Sequence, residues 1–380
     1  VEVEDSTIDN NTADDVPSDS PTFNNGLGGG IYSYDSTLTV TDSTISNNTA
    51  EGHVGLFKYN SNGRLLSSAF GNGGGGICAV GKKSDVTLNG VTVTGNKATY
   101  SASSQKGTGA GIEAQGGTLT VKDSTISNNE ARGNGGGIYS AEGNVLNVSD
   151  STIQGNKGDN GGGIHMGEAI DNSKTSSKAT ITNTKILNNK TSGNSPSSGE
   201  GGGVYVGTRA DATLRDCIVA GNEAGNDGGG IAASCSTITL DRTTVENNQA
   251  VMGGGLFHLG IAVPGSLILQ NGSIIRNNTA SSMGGGLFLR GNVGLKSENS
   301  EISRNKALYG AGIAALQYLA NFPSPKLELV DTKVNNNGDA NTVMGGGIYA
   351  ASGVTITSKN TKFLGNTANT AGGILLYLNS

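Results

Sequence analysis

The chain has no tryptophan, three cysteines, three histidines and six prolines in 380 residues. Phenylalanine and tyrosine together supply only 17 residues. No apolar run approaches the roughly 18–20 residues that a membrane-spanning helix needs. Each shortage excludes something. Three cysteines (Cys78, Cys217 and Cys235) cannot build a disulfide framework. Pairing Cys217 with Cys235 would leave one over. His53, His165 and His258 are too scattered to suggest a metal centre. Six prolines, and glycine off the every-third rhythm, exclude collagen. Basic residues number 25 and acidic residues 31, for a net charge of −6, and no basic cluster stands out. That balance argues against a nucleic-acid partner. The first residue is Val1 and no signal peptide is visible, so a processed product or an excerpt is expected.

Glycine and asparagine are plentiful instead, at 63 and 42 residues. Both disfavour helix. The hydrophobic fraction is 34%, below the usual level of about 45–50%. Yet charged residues make up only 15%, and short β-branched runs recur throughout, so disorder does not fit.

The recurrence decides the reading. Gly28-Gly29-Gly30-Ile31-Tyr32 returns as Gly74–Ile77, Gly109–Ile112, Gly135–Ile138, Gly161–Ile164, Gly201–Val204 and Gly228–Ile231. It continues as Gly253–Leu256, Gly284–Leu287, Gly310–Ile313, Gly345–Ile348 and Ala371–Ile374, twelve copies in all. The shortest and commonest spacings are 25, 26 and 27 residues. A second motif interleaves with the first: an apolar residue, two variable positions, then Asn. It also has twelve copies, from Ile8–Asn11 to Phe363–Asn366. Between the two lies an alternating stretch such as Leu38-Thr39-Val40 or Leu119-Thr120-Val121. Alternation of period two marks a half-buried strand.

A strand cannot hydrogen-bond within itself, so each piece must pair with its counterpart one repeat away. Stacked repeats satisfy all three pieces at once. The expected fold is all-β: a right-handed, single-stranded parallel β-helix, or solenoid. It should have about 12 coils of roughly 26 residues and three parallel sheets, forming one domain over residues 1–380. Twelve coils at about 4.8 Å make a rod of roughly 55–60 Å. The aliphatic residue after each Gly run should point inward. So should a structural ladder of Asn48, Asn96, Asn129, Asn156, Asn189, Asn222, Asn248, Asn278, Asn305, Asn337 and Asn366. Each amide there would donate to the next coil and accept from the previous one. Asp5, Asp42, Asp123, Asp150, Asp216 and Asp331 share one repeat position, where Asn183, Asn299 and Asn360 also occur, which reads as a turn.

Long insertions are expected at 12–27, 49–73, 97–108, 190–200 and 314–326, with two more near 165–178 and 257–266. Such loops usually carry binding specificity. The residue after the inward aliphatic should face out. This outward ladder includes Tyr139, His165, Tyr205, Phe257 and Phe288, a candidate binding surface unless a loop covers it. An outward threonine column (Thr39, Thr87, Thr120, Thr180, Thr213, Thr239) raises ice binding as a remote alternative. Asn10, Asn47, Asn147, Asn189, Asn271 and Asn277 begin candidate N-glycosylation sequons.

The paired motifs resemble the polymorphic outer-membrane-protein-like repeats of right-handed β-helix surface proteins. Those alternate a Gly-Gly-Ala-Ile-type tetrapeptide with a Phe-x-x-Asn-type one. Here the first becomes Gly-Gly-Gly-Ile and the second mostly Ile-x-x-Asn, with Phe363-Leu364-Gly365-Asn366 carrying the literal Phe. The resemblance covers nearly all of the chain and implies an extracellular adhesin, sheath or filament component.

Chemistry is harder to find. Asp241, Arg242 and Glu246 form the one compact charged cluster that breaks the repeat. The Gly runs lack the Lys-Ser/Thr of a phosphate loop and the Asp of the calcium-binding nonapeptide. No catalytic residue, metal or cofactor is therefore expected. The chain should be a structural or adhesive rod at the cell surface. A polysaccharide lyase, glycosidase or glycan-binding module is the alternative. Both ends fall inside a repeat, so other copies or flanking repeats are the expected end-to-end partners, with surface proteins or glycans along the sides.

Overall fold

Each coil turns at left-handed corners. Three repeat along the chain and carry the recurring glycine, asparagine and aspartate. A fourth, after the strand that follows the Gly run, is left-handed at Asp35, Gly81, Glu142, Arg209, Cys235 and Gly291. The first Gly of each run has positive φ, as at Gly28 (66°) and Gly135 (67°). The turn aspartates do the same, from Asp42 (45°) to Asp331 (47°), with Asn183 at 46°. The third corner lies just before the ladder asparagine, at Asn47 (54°), Asn128 (55°) and Gly155 (63°). Asparagine, aspartate and glycine tolerate this region best. Arg242 (49°) and Arg304 (56°) occupy it without that advantage.

The computed structural model describes residues 1–14, 26–51, 72–99, 101–102, 105–167, 176–192, 198–351 and 353–377. The strands form a parallel β-helix in which every coil pairs with the next in register. Ile112–Gln115 lies between Ile77–Val80 and Ile138–Ala141, and Thr118–Lys122 between Asp85–Asn89 and Val145–Ser149. The Asn-motif strands, Thr44–Ser46 and its counterparts, form a 12-stranded sheet. The strands after the Gly runs and the alternating strands join into one 22-stranded sheet. They fuse where Leu256–Gln270 pairs with Leu287–Glu298 through a bulge between Gly260 and Gly265.

Two details depart from the sequence expectation. A fourth short ladder follows the Asn in most coils, as at Thr49–Ala50 and Lys97–Ala98, because the chain runs extended there and its backbone still needs partners. The segment 257–266 is not a loop but part of the long strand Leu256–Gln270. The expected insertion at 314–326 does leave the rod beyond Leu316, held by Tyr318 packed edge-on against Phe322 at 5.6 Å and by Arg290 over the Tyr318 ring at 5.0 Å. The insertion at 97–108 includes an antiparallel pair, Ser101–Ala102 with Gln105–Thr108. Residues 15–25, 52–71, 168–175 and 193–197, and with them His53, lie outside the described residues.

Inward side chains fill the bore. Ile77, Ile112, Ile138, Ile164, Val204 and Ile231 are fully buried, stacked with Val86, Leu119 and Leu146 from the alternating strands and Ile126 and Ile153 from the Asn motif. Each contributes about 1.5–3 kcal/mol by leaving water. The three glycines of a run have different jobs. Gly135 supplies the left-handed turn. A methyl on Gly136 would lie 2.3 Å from the Lys157 carbonyl, and one on Gly137 would lie 2.5 Å from the Gly163 carbonyl and 3.1 Å from the Asn156 amide.

Candidate functional site

The aromatic ladder is where binding was anticipated, and its surroundings change that picture. Tyr139, His165 and Tyr205 stack on consecutive coils, with centroids 5.2 and 4.7 Å apart and planes within 13°. Phe257 and Phe288 follow, tilted, at 5.5 Å. These side chains leave the bore but are largely covered. His165 is 5% exposed, Phe257 4% and Phe288 1%, while Tyr139 and Tyr205 are half-buried. Within the ladder Cys78, Glu113, Ala232 and Ala314 are also buried, whereas Tyr32 is exposed.

The cover comes from the residue that precedes each Gly run. The left-handed first glycine folds the chain back across the outward face, so close that a methyl on Gly135 would meet the Tyr139 Cβ at 2.8 Å. The preceding residues form their own column, bridged from Asp227 to Met252 and from Met283 through Tyr309 and Met344 to Thr370. Met252 and Met283 pack on Phe257 and Phe288, and Tyr309 meets Tyr349 at 5.9 Å. The expected docking surface is therefore a second, lateral core running beside the bore.

That lateral core holds polar groups at a cost. Burial lowers His165 to about 3, and its Nδ1 makes no hydrogen bond although the Asn160 backbone lies near. Burial raises Glu113 to about 8. Asp227 rises to about 7, first through burial and then through the neighbouring charge of Glu200, with Arg290 opposing. Glu200 is itself raised by burial. His258 sits deeper still. It occupies an inward position of the bore between Ala233 and Leu289, and burial lowers it to about 4. The Ser236 backbone partly offsets that shift, but neither ring nitrogen makes a hydrogen bond. Sequence spacing named His165 and His258 but carried no sign of these environments.

The asparagine ladder runs through the described coils. In each link the amide nitrogen of one Asn donates to the Oδ1 of the next, at about 3.0 Å from Asn48→Asn96 through Asn129→Asn156 to Asn337→Asn366. The same amide donates to a carbonyl of the previous coil, as Asn156 does to Ile126 at 3.0 Å. Its oxygen also accepts the backbone N–H of the preceding Asn, as in Asn129→Asn156 at 3.0 Å. Asn96, Asn189, Asn222, Asn248, Asn278 and Asn305 repeat the pattern, and Asn366 ends it half-buried.

Several candidate residues fall elsewhere. Asn189 is buried and both amide hydrogens are engaged, with Ile153 O and Asn222 Oδ1, so the folded chain cannot present it as a sequon. Asn10, Asn47, Asn271 and Asn277 lie exposed on corners, and Asn147 is half-buried within a strand. The Cys217–Cys235 pairing is not made. Cys217 points inward, its thiol donating to the Ile181 and Arg215 carbonyls at 3.3 and 3.1 Å, while Cys235 sits on a different corner and accepts from the Ile261 N–H. In the charged cluster, Arg242 grips Asp216 through two bonds of 2.7 and 3.0 Å. Asp241 accepts from Arg215, Arg242 and Asn271. Glu246 pairs with Arg276 at 2.7 Å. Hydrogen bonds from Arg242 to Asp216 and from Asn271 to Asp241 hold both carboxyls below their usual value. Among the described residues, no group of three or more His, Cys, Asp or Glu is placed to hold a metal. No helix among them is long and apolar enough to cross a membrane.

The family description "right handed beta helix region" matches residues 1–186, 89–250 and 203–380. The chain belongs to the right-handed β-helix family. Curated proteins and solved structures return no match. Family membership gives the hand of the coil as right-handed. One sheet face of this β-helix stays partly open. On the alternating strands, Thr39, Thr87 and Thr120 stand in register, followed by Asn147, Thr180, Thr213 and Thr239. All are half-buried or exposed.

Proposed function

We propose that this β-helix is a rigid structural or adhesive rod of an extracellular surface, not an enzyme. The observation that carries the reading is the unbroken amide ladder from Asn11 to Asn366. It binds each coil to the next through buried side-chain bonds, beside a continuous aliphatic core, which favours stiffness along the axis. The Gly-Gly-Gly-Ile and Ile-x-x-Asn repeats support kinship with outer-membrane-protein-like surface repeats. Exposed corner sequons at Asn10, Asn47, Asn271 and Asn277 suit a secreted chain. Paired carboxylates at Asp216, Asp241 and Glu246 suit a surface lattice better than acid–base chemistry.

Small-angle scattering and single-molecule bending measurements test the rod, and a flexible, bent particle would count against it. Incubation with a polysaccharide panel tests the enzymatic alternative, where reproducible turnover would displace this reading. A glycan-binding role has one observation in its favour, the open threonine face, and a glycan array reads it directly.

A further inference from the structure

Glu113 stands on the strand Ile112–Gln115 in the lateral core, fully shielded from solvent. Its neighbours along the column are Cys78 on one coil and Tyr139 on the other. Thr108 Oγ1 lies 3.2 Å from Glu113 Oε2, and Gln115 Nε2 donates to Oε1. Gly73 closes over the carboxyl group so tightly that a methyl there would lie 2.3 Å from Oε2. Gly73 and Thr108 are themselves paired, in the parallel strands Asn72–Gly73 and Gln105–Thr108. These two strands form a strap over Glu113. The insertions at 49–73 and 97–108 both return to the rod through it.

Among the described residues, the groups facing Glu113 supply no positive charge. From the neighbouring strands they are the Cys78 thiol and the Tyr139 phenol. On the strap, Lys106 is engaged with Asp159. Thr108 Oγ1–H donates to Oε2 and Gln115 Nε2 to Oε1. A neutral acid keeps the bond from Gln115 and can turn the other round, Oε2–H to Thr108 Oγ1, without burying a charge. A carboxylate finds the same two partners but no countercharge, and the strap separates it from water. Burial accordingly pushes Glu113 up to about 8.

We propose that Glu113 is a protonation-gated latch: as the neutral acid it seals the strap onto the rod, and on ionisation it lifts the strap and frees the base of the two insertions. The folded pKa lies above the ordinary carboxyl value. The stabilisation is therefore complete below about 4.5 and is lost as pH rises through about 8. Hydrogen exchange on the intact chain at pH 6 and pH 9, corrected for intrinsic rates, tests this over 72–76 and 105–111. In the unmodified chain, strap exchange should rise about tenfold or more at pH 9. In Glu113→Gln it should stay protected at both pH values. Equal pH dependence in both chains, or none in the unmodified one, would overturn the latch. If Glu113→Gln fails to fold, carboxyl-carbon NMR of the unmodified chain decides. A Glu113 resonance titrating near 8 supports the latch, and one titrating near 4–5 refutes it.

Discussion

Replacing Asn156 with alanine should be among the most damaging single changes in the rod. The Asn156 side chain donates to Asn189 Oδ1 and Ile126 O, both at 3.0 Å. Its Oδ1 accepts from the backbone and side chain of Asn129 at 3.0 and 2.9 Å. Truncation strands the buried Asn129 N–H, takes one of two acceptors from its amide, and removes the donor to Ile126 O. Each unsatisfied buried group costs about 1–3 kcal/mol, so a loss of about 3–6 kcal/mol is expected. Asn11→Ala provides the scale. Asn11 is exposed and its side chain only donates, to Asn48 Oδ1 at 2.9 Å, so its loss should cost under about 1 kcal/mol. Asn156→Asp keeps the shape but aims an oxygen at two acceptors, and should cost at least as much as alanine. Urea unfolding with matched m-values measures all three. If Asn156→Ala and Asn11→Ala were equally mild, the ladder would not be what joins the coils.

Other substitutions probe separate features. His258→Leu should stabilise the chain by about 1–3 kcal/mol in thermal or urea unfolding, because it removes two unpartnered nitrogens from the bore and matches Leu289 on the next coil. The same change should remove an acid-side slope. His258 titrates near 4 when folded, below its ordinary 6.5, so its stabilisation is complete above about 6.5 and falls by roughly 3 kcal/mol as pH drops to 4. Unfolding midpoints that depend on pH identically in both chains would contradict this. Gly137→Ala should cost about 1–3 kcal/mol, since its methyl must displace the Gly163 carbonyl or the Asn156 amide, and an unchanged unfolding midpoint would show the coil gives way freely. Expressed through a glycosylating secretory route, the chain should carry no glycan at Asn189, and peptide mapping that finds one would mean the ladder forms late or not at all.

The fold was legible because its determinants are local and repeated. Left-handed corners call for glycine, asparagine or aspartate, and the three that repeat along the chain hold much of the excess of these residues. Period-two alternation placed Val86, Leu119 and Leu146 in the core, and the residue after each Gly run followed them inward. The fourth short ladder was not legible, since two extended residues leave no pattern. Nor was the charged cluster's pairing, which joins Arg242 to Asp216 on the previous coil.

Sequence alone thus determined the coil: its length, its corners, its inward aliphatics and its register. Those follow from backbone conformation and strand pairing, which repeat every coil. Tertiary structure decided what the outward ladder became. Alternation says only that Tyr139, His165 and Glu113 leave the bore. Whether they meet water depends on how the chain before the glycine run folds back, and on which residue that fold lays beside them. Burial set by that return path, not by residue type, made His165 neutral, Glu113 protonated and the expected docking surface a second core.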